Sequence, residues 1–87
     1  MKNITFAPEA FEQFNGWAVQ DKKIQRKIIT LINDILRQPF TGLGKPEPLK
    51  YELKGYWSRR ITDEPRLVYT VTEAEIIILS CRFHYDD

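Results

Sequence analysis

The sequence predicts an α+β fold in which an N-terminal helical hairpin packs on one face of a twisted antiparallel β-sheet. Two nearly contiguous amphipathic segments in the first half of the chain predict the hairpin. Short alternating segments joined by tight turns fill the second half and predict strands, since connections this short join antiparallel neighbours. The expected order is β-α-α-β-β-β-β. With 87 residues, the chain 1–87 is expected to form a single small domain with one modest core.

The N-terminal elements are indicated by alternation, capping residues and an apolar stripe. Residues 3–6 alternate apolar and polar side chains, which is typical of a strand. Pro8 and Glu9 suit the first turn of a helix, and Asp21 suits the N-cap of a second one. Asp34 is expected to point away from the apolar stripe of the second helix. The residues of that stripe are Ile24, Ile28, Leu31, Ile32 and Ile35.

Four strands are expected after the second helix, which should end at Gln38. Segment 40–48 contains two glycines and two prolines and is expected to be a loop. The predicted strands cover residues 51–54, 56–62, 66–72 and 76–83.

Alternation within these strands predicts which side chains share a face. In the last strand, Ile76, Ile78, Ser80, Arg82 and His84 are expected on one face, and Ile77, Leu79, Cys81 and Phe83 on the other. Polar side chains then gather at one end of the sheet. We therefore expect Arg60, Arg66 and His84 to meet there.

Charge is balanced over the whole chain but uneven along it. The formal net charge is +1, which gives no overall field that would indicate a nucleic-acid partner. Between residues 45 and 61, five cations accompany two anions, a local excess of three. These cations are Lys45, Lys50, Lys54, Arg59 and Arg60, and Arg66 and Arg82 are expected to extend the patch. Such a patch suits a specific anionic ligand or an acidic partner.

Cysteine content and hydropathy indicate the compartment. The single cysteine, Cys81, rules out an internal disulfide framework and favours a reducing environment. No signal peptide and no apolar stretch approaching the ~20 residues of a membrane span is visible. The protein is expected to be cytoplasmic, with no membrane association.

The polar residues favour phosphodiester chemistry without a metal or other cofactor. One histidine and one cysteine are a poor basis for a transition-metal site. Glu47 lies on a stiff loop between two prolines, and a carboxylate of this kind can accept a proton from a nucleophile. His84 can protonate a leaving oxygen, and guanidinium groups can stabilise phosphate charge. Without a metal to activate water, the easiest nucleophile is the 2′-OH of RNA.

Several motifs resemble the YoeB toxins of the RelE/ParE superfamily, and the resemblance covers essentially the whole chain. The most specific are Gly-Lys-Pro-Glu-Pro-Leu-Lys at 44–50 and Trp-Ser-Arg-Arg-Ile-Thr at 57–62. Arg-Leu-Val-Tyr at 66–69 and the pair His84-Tyr85 also match. The resemblance implies a ribosome-dependent endoribonuclease toxin that cuts mRNA in the A site of the 70S ribosome. It also implies a homodimer and a YefM-like antitoxin whose disordered segment folds on binding.

The resemblance also implies roles for individual residues. Glu47 matches the general base, His84 the general acid, and Arg66 the residue that stabilises phosphate in the transition state. The positions that match phosphate binding, charge balance or base stacking are Lys50, Arg60 and Tyr85, and Lys45 flanks Glu47 within the same motif.

Some residues depart from the family pattern, and two other function classes are alternatives to the nuclease. Asp86 and Asp87 extend past the His-Tyr end, and Tyr51 and Pro65 replace residues that are commonly histidine in the family. A ParE-like inhibitor of DNA gyrase, which cuts nothing, has no need of the acid–base pair of Glu47 and His84. A catalytically silent binding protein is the third class, and no residue indicates it.

Overall fold

The computed structural model describes residues 2–83, and within them the elements follow the predicted order. The helices are α1 (Pro8–Gln20) and α2 (Lys22–Arg37). The strands are β1 (Asn3–Phe6), β2 (Glu47–Pro48), β3 (Trp57–Arg60), β4 (Arg66–Val71) and β5 (Glu75–Ser80). A short 3₁₀ helix covers Tyr51–Leu53.

The five strands form one sheet in the order β1-β5-β4-β3-β2. The pairs β2–β3, β3–β4 and β4–β5 are antiparallel, as expected. β1 instead runs parallel to β5, with Ile4 opposite Ile76. The α+β class is therefore confirmed, but the sheet is mixed. The whole chain between β1 and β5 separates these two strands, so no short hairpin constrains them to run antiparallel.

The helical hairpin packs on one face of the sheet, as predicted. The Asp21 carboxylate accepts a hydrogen bond from the Lys23 N–H (3.0 Å) and caps α2. Ile28, Leu31 and Ile35 of α2 are fully buried. They share the core with sheet residues Leu67, Tyr69, Ile76 and Ile78. Tyr69 thus fills the core, and Trp57 is half-buried against it.

Two local predictions between residues 47 and 54 are wrong. Segment 51–54 does not form a strand, because Tyr51 has φ = +55° and the chain coils into the 3₁₀ helix. Glu47 and Pro48, expected within a loop, form the edge strand β2. An edge position tolerates Pro48 because its missing N–H faces no neighbouring strand.

The predicted alternation to residue 83 is also wrong, because β5 ends at Ser80 and its pairing with β4 contains a β-bulge. Tyr69 pairs with Ile78, whereas Val68 pairs with Ser80, so Leu79 is the extra residue. A bulge of this kind reverses the alternation of side chains. Consequently Cys81 is buried in the same core as Ile78, on the face opposite to the one predicted.

Neither helix within residues 2–83 is long and apolar enough to cross a membrane.

Candidate active site

Glu47 is held at the open edge of the sheet. It lies opposite Ser58 of β3, and its side chain is exposed. The next pair, Pro48 and Trp57, completes the ladder of β2. Beyond it, the Leu49 N–H donates to the carbonyl oxygen of Tyr56 (2.9 Å). The stiff segment around Glu47 is therefore fixed against β3.

The pairing register places Glu47, Arg60 and Arg66 on one face of the sheet. In β3, Arg59 points into the helix-covered core, so Ser58 and Arg60 point to the opposite face. Arg60 is opposite Arg66 of β4, and cross-strand partners share a face. Glu47 and Arg66 are separated by two strand spacings across the sheet and by two residues along the strand direction. Their Cα atoms are therefore about 12 Å apart. This spacing suits side chains that converge on one phosphodiester.

Arg66 and Arg60 differ in how firmly they are held. Arg66 is 8% exposed, and its Nη1 donates to the carbonyl oxygens of Thr62 (3.0 Å), Asp63 (3.0 Å) and Glu64 (3.2 Å). The turn between β3 and β4 thus fixes the Arg66 guanidinium. The Arg60 side chain is exposed. One cation is preorganised and the other is free to adapt to a ligand.

The positive patch is smaller than the sequence predicts. Lys45 and Lys50 are exposed on either side of Glu47, as expected. Arg59, however, is fully buried and lies on the core side of β3. Arg82 also lies elsewhere: its Nη1 donates to Gln20 Oε1 (2.9 Å), and its guanidinium lies 5.0 Å from the centroid of a Trp17 ring on α1. The predictions that Arg59 and Arg82 belong to the patch are wrong.

His84 and Tyr85 lie outside the described residues, so their predicted roles stay predictions. The residue before them, Phe83, accepts a hydrogen bond from the Arg66 N–H at its carbonyl oxygen (2.9 Å). The described chain thus reaches the backbone of Arg66 immediately before His84. The prediction that Arg60, Arg66 and His84 meet therefore lies partly outside the described residues.

Helix α1 anchors the end of β5 through two side chains that sequence reasoning missed. Gln13 Oε1 accepts a hydrogen bond from the Cys81 N–H (2.8 Å). Trp17 Nε1 donates to the Cys81 carbonyl oxygen (2.9 Å). Both backbone groups of Cys81 are therefore satisfied by α1. Gln13 lies on the buried side of α1. A helical wheel of this segment places Gln13 among its apolar residues, and this position could have predicted that the side chain is buried.

A second missed feature is the buried ion pair of Arg59 and Asp34, which are 0% and 2% exposed. Arg59 Nη1 lies 2.6 Å from Asp34 Oδ2. The Leu43 N–H, then Gln38 and Arg59, hold the pKa of the Asp34 carboxyl well below its usual range. The prediction that Asp34 points away from the core is wrong. Its position three residues after Leu31 of the apolar stripe is the signal that places it on the buried side.

Comparison with known proteins assigns the chain to a family. Residues 6–85 match the model of the YoeB-like toxin of bacterial type II toxin-antitoxin systems. The chain is 52% identical to Toxin YoeB of Mycobacterium bovis over 85 residues, which cover 98% of this chain and 100% of that protein.

Solved structures agree with this match. The YoeB/ParE toxin from Agrobacterium tumefaciens superposes with a TM-score of 0.93 at 44% identity, covering 98% of this chain and 100% of that one. The YoeB dimer from Staphylococcus aureus gives 0.91 at 50% identity, covering 97% and 98% of the two chains. The YoeB-YefM complex from the same organism gives 0.89 at 49% identity, covering 98% and 99%. YafQ from Escherichia coli, at 16% identity and a TM-score of 0.77 over 95% and 93% of the two chains, shares the fold.

The matched family model spans nearly the whole chain, including the segment that carries Glu47 and the strands that carry Arg60 and Arg66, and the chain therefore belongs to the YoeB toxins of bacterial type II toxin–antitoxin systems.

Proposed function

We propose that the protein is a ribosome-dependent endoribonuclease that inhibits translation by cutting mRNA in the ribosomal A site. One observation carries this proposal: the register of β2, β3 and β4 brings Glu47, Arg60 and Arg66 to one face at an open sheet edge. A carboxylate beside two guanidinium groups supplies a proton acceptor and anion stabilisation for one phosphodiester.

The proposed reaction uses the 2′-OH of the substrate. Glu47 accepts the 2′-OH proton, and the 2′-oxygen attacks the adjacent phosphorus. The bond from phosphorus to the 5′-oxygen breaks, and His84 protonates that oxygen. The products are a 2′,3′-cyclic phosphate and a free 5′-OH. Arg66 stabilises the charge that develops on the phosphoryl oxygens, since its guanidinium is already oriented before substrate binds.

The remaining predicted site residues position the RNA. Lys45 and Lys50 are exposed beside Glu47, and Arg60 is exposed on the same face. Each can bind a phosphate oxygen on either side of the scissile bond. Tyr85 stacks on an unpaired base next to the cut.

Dependence on the ribosome follows from weak general affinity for RNA. Non-specific binding scales with the number of phosphates that cations neutralise. The protein has a net charge of only +1, and Arg59 and Arg82 lie outside the candidate site. A few exposed cations therefore give little affinity for free mRNA. The ribosome supplies the missing binding energy by presenting the A-site codon in a fixed conformation.

The proposed partners follow the relatives. Structures exist of a YoeB dimer and of a YoeB-YefM complex from Staphylococcus aureus. We propose that this protein likewise forms a homodimer in the cytoplasm. A YefM-like antitoxin neutralises it through a disordered segment that folds on the toxin surface.

Primer extension on mRNA in a purified translation system tests the function. Wild-type protein, Glu47→Ala and the matched control Glu52→Ala are compared with and without ribosomes. Glu52 is exposed in the 3₁₀ helix and outside the proposed site. Cuts at A-site codons that need ribosomes, disappear in Glu47→Ala and persist in Glu52→Ala support the proposal. If no condition gives cleavage, the acid–base roles are withdrawn, and a gyrase supercoiling assay tests the ParE-like alternative.

A further inference from the structure

We propose that Arg59 is a positioning residue that acts from the core side of the sheet: it holds the loop 38–46 so that Glu47 stands opposite Ser58. This inference rests on the proposed function for its consequence in catalysis. Its structural part, the control of the loop by Arg59, stands on the hydrogen bonds described below.

The Arg59 guanidinium uses all five of its N–H donors, although it is fully buried. Nε donates to the Tyr69 hydroxyl (3.1 Å), and Nη1 donates to Asp34 Oδ2 (2.6 Å). The other three hydrogen bonds go to carbonyl oxygens of the loop: Leu43 (3.1 Å), Gln38 (2.6 Å) and Thr41 (2.8 Å). A buried charge is costly unless it is paired and fully hydrogen-bonded. Here Asp34 supplies the opposite charge, and the loop supplies three of the five hydrogen bonds.

Asp34 and Tyr69 extend the same network into the loop. Asp34 Oδ2 accepts from the Leu43 N–H (3.0 Å), and Oδ1 accepts from Gln38 Nε2 (3.1 Å). The Tyr69 hydroxyl, which accepts from Arg59, donates to the Pro39 carbonyl oxygen (2.7 Å). We call Arg59, Asp34 and Tyr69 the loop anchor. It fixes backbone groups from residue 38 to residue 43.

Gly44 connects the anchored loop to β3, the strand that carries Arg60. Its carbonyl oxygen accepts a hydrogen bond from the Arg60 N–H (2.7 Å). Its φ of +77° suits glycine, and a Cβ added here would lie 2.9 Å from the Arg60 carbonyl oxygen and 3.1 Å from Arg59 Cβ. The chain thus lies directly on β3 at this point. Glu47 follows three residues later, after the rigid Pro46.

Strand β2 depends on this support because it has only two residues. Two residue pairs at a sheet edge specify register weakly, and a slip of one residue would turn the Glu47 side chain to the other face. The loop anchor lies before β2, and the Leu49–Tyr56 hydrogen bond lies after it. Together the loop anchor and this hydrogen bond restrict β2 to the register in which Glu47 is opposite Ser58. Arg59 and Arg60 are neighbours in sequence, yet they support the site from opposite faces.

The test uses Tyr69→Phe, because removing Arg59 itself risks an unfolded protein. The variant keeps the core ring but removes the hydroxyl that links Arg59 to Pro39. Arg59→Lys is the second variant, since it keeps the charge and loses the fork of donors. Ile28→Val is the matched control: it weakens the core on α2 and touches none of the hydrogen bonds of the loop anchor.

Two measurements are made at a temperature where every variant is folded. Hydrogen–deuterium exchange reports the amide protons of Leu43 and Arg60, and ribosome-dependent cleavage reports kcat and KM. For Tyr69→Phe and Arg59→Lys we expect faster exchange at both amides and a kcat lower by on the order of 10- to 100-fold. KM should stay within about twofold of wild type, since the phosphate-binding cations are intact. Ile28→Val should keep wild-type values.

The outcomes separate this inference from the proposed function. Unchanged exchange at Leu43 and Arg60 in both loop-anchor variants overturns the inference. Faster exchange with a wild-type kcat would show that the loop anchor has a structural role only. This result also overturns the inference. If wild-type protein cuts no mRNA, the proposed function fails, and the exchange data alone still decide whether Arg59 holds the loop.

Discussion

Arg60 and Arg66 lie directly opposite each other on β3 and β4. Like charges in this position repel each other and destabilise a sheet. The Arg66 guanidinium donates to the β3–β4 turn, whereas the Arg60 side chain is exposed and makes no such hydrogen bond within residues 2–83. We propose that an anionic ligand bound by both cations offsets this repulsion.

Replacing Arg60 should therefore separate stability from activity. In Arg60→Gln, relief of the repulsion should leave the free energy of unfolding unchanged or raise it by up to about 1 kcal/mol. Cleavage of mRNA on ribosomes should fall by about 10- to 100-fold, because one charge-assisted hydrogen bond to phosphate is lost. Urea unfolding and primer extension measure the two quantities.

The matched control for this prediction is Arg26→Gln, which removes an exposed arginine from α2 on the other side of the sheet. It should change neither quantity. If Arg60→Gln is markedly less stable than wild type, or cleaves as fast, Arg60 is a structural residue and not a phosphate ligand.

The helices and strands with a regular apolar pattern could be predicted from the sequence, because the spacing of nearby residues indicates which side of the element is buried. The spacing of Ile28, Leu31 and Ile35 determines which side of α2 is buried, and the structure buries all three. Arg60 and Arg66 were likewise expected to meet, and they lie opposite each other on β3 and β4. These relationships need only the geometry of one helix or one strand pair.

The errors fall where contacts distant in sequence decide the structure. Asp34 and Arg59 look like surface charges in the sequence. They are 25 residues apart, and they are buried together because α2 and β3 bring them into contact. The alternation of 51–54 is that of a strand, but the left-handed φ of Tyr51 ends extended structure there. The bulge beside Val68 reverses the alternation of β5, and no residue type in that strand predicts a bulge.

Acid should weaken the fold through Asp34. Because its folded-state pKa is depressed, the ionised carboxylate stabilises the protein above the unfolded pKa of about 3.9, and this contribution is lost as pH falls further toward the folded-state value. Urea midpoints of wild type should therefore fall steeply below about pH 4. Asp34→Asn should be less stable at pH 7 and should show a shallower decline. Parallel curves for the two proteins would contradict this prediction.

Cys81 should be inert in the folded protein. Burial raises the pKa of its thiol to about 12, and Sγ lies 3.6 Å from the Ala10 carbonyl oxygen. The thiolate is the reactive form, so iodoacetamide at pH 8 should label the native protein more than about 1000-fold more slowly than the unfolded chain. Mass spectrometry follows the label. Equal rates in the presence and absence of denaturant would show that the end of β5 is open.

Gln13 should couple α1 to the C-terminal segment that bears His84. Gln13→Leu removes the acceptor of the Cys81 N–H and leaves this buried group unpaired, at a cost of about 1–3 kcal/mol. Because Cys81 lies three residues before His84, kcat for mRNA cleavage should fall as well. Gln20→Leu is the matched control on the same helix, since Gln20 Oε1 accepts from the Arg82 side chain and its loss leaves the hydrogen bonds of the Cys81 backbone intact. Thermal unfolding and cleavage kinetics give the comparison. If Gln13→Leu loses stability but keeps wild-type kcat under conditions where it is folded, the anchor at Cys81 serves the fold and does not orient the proposed general acid.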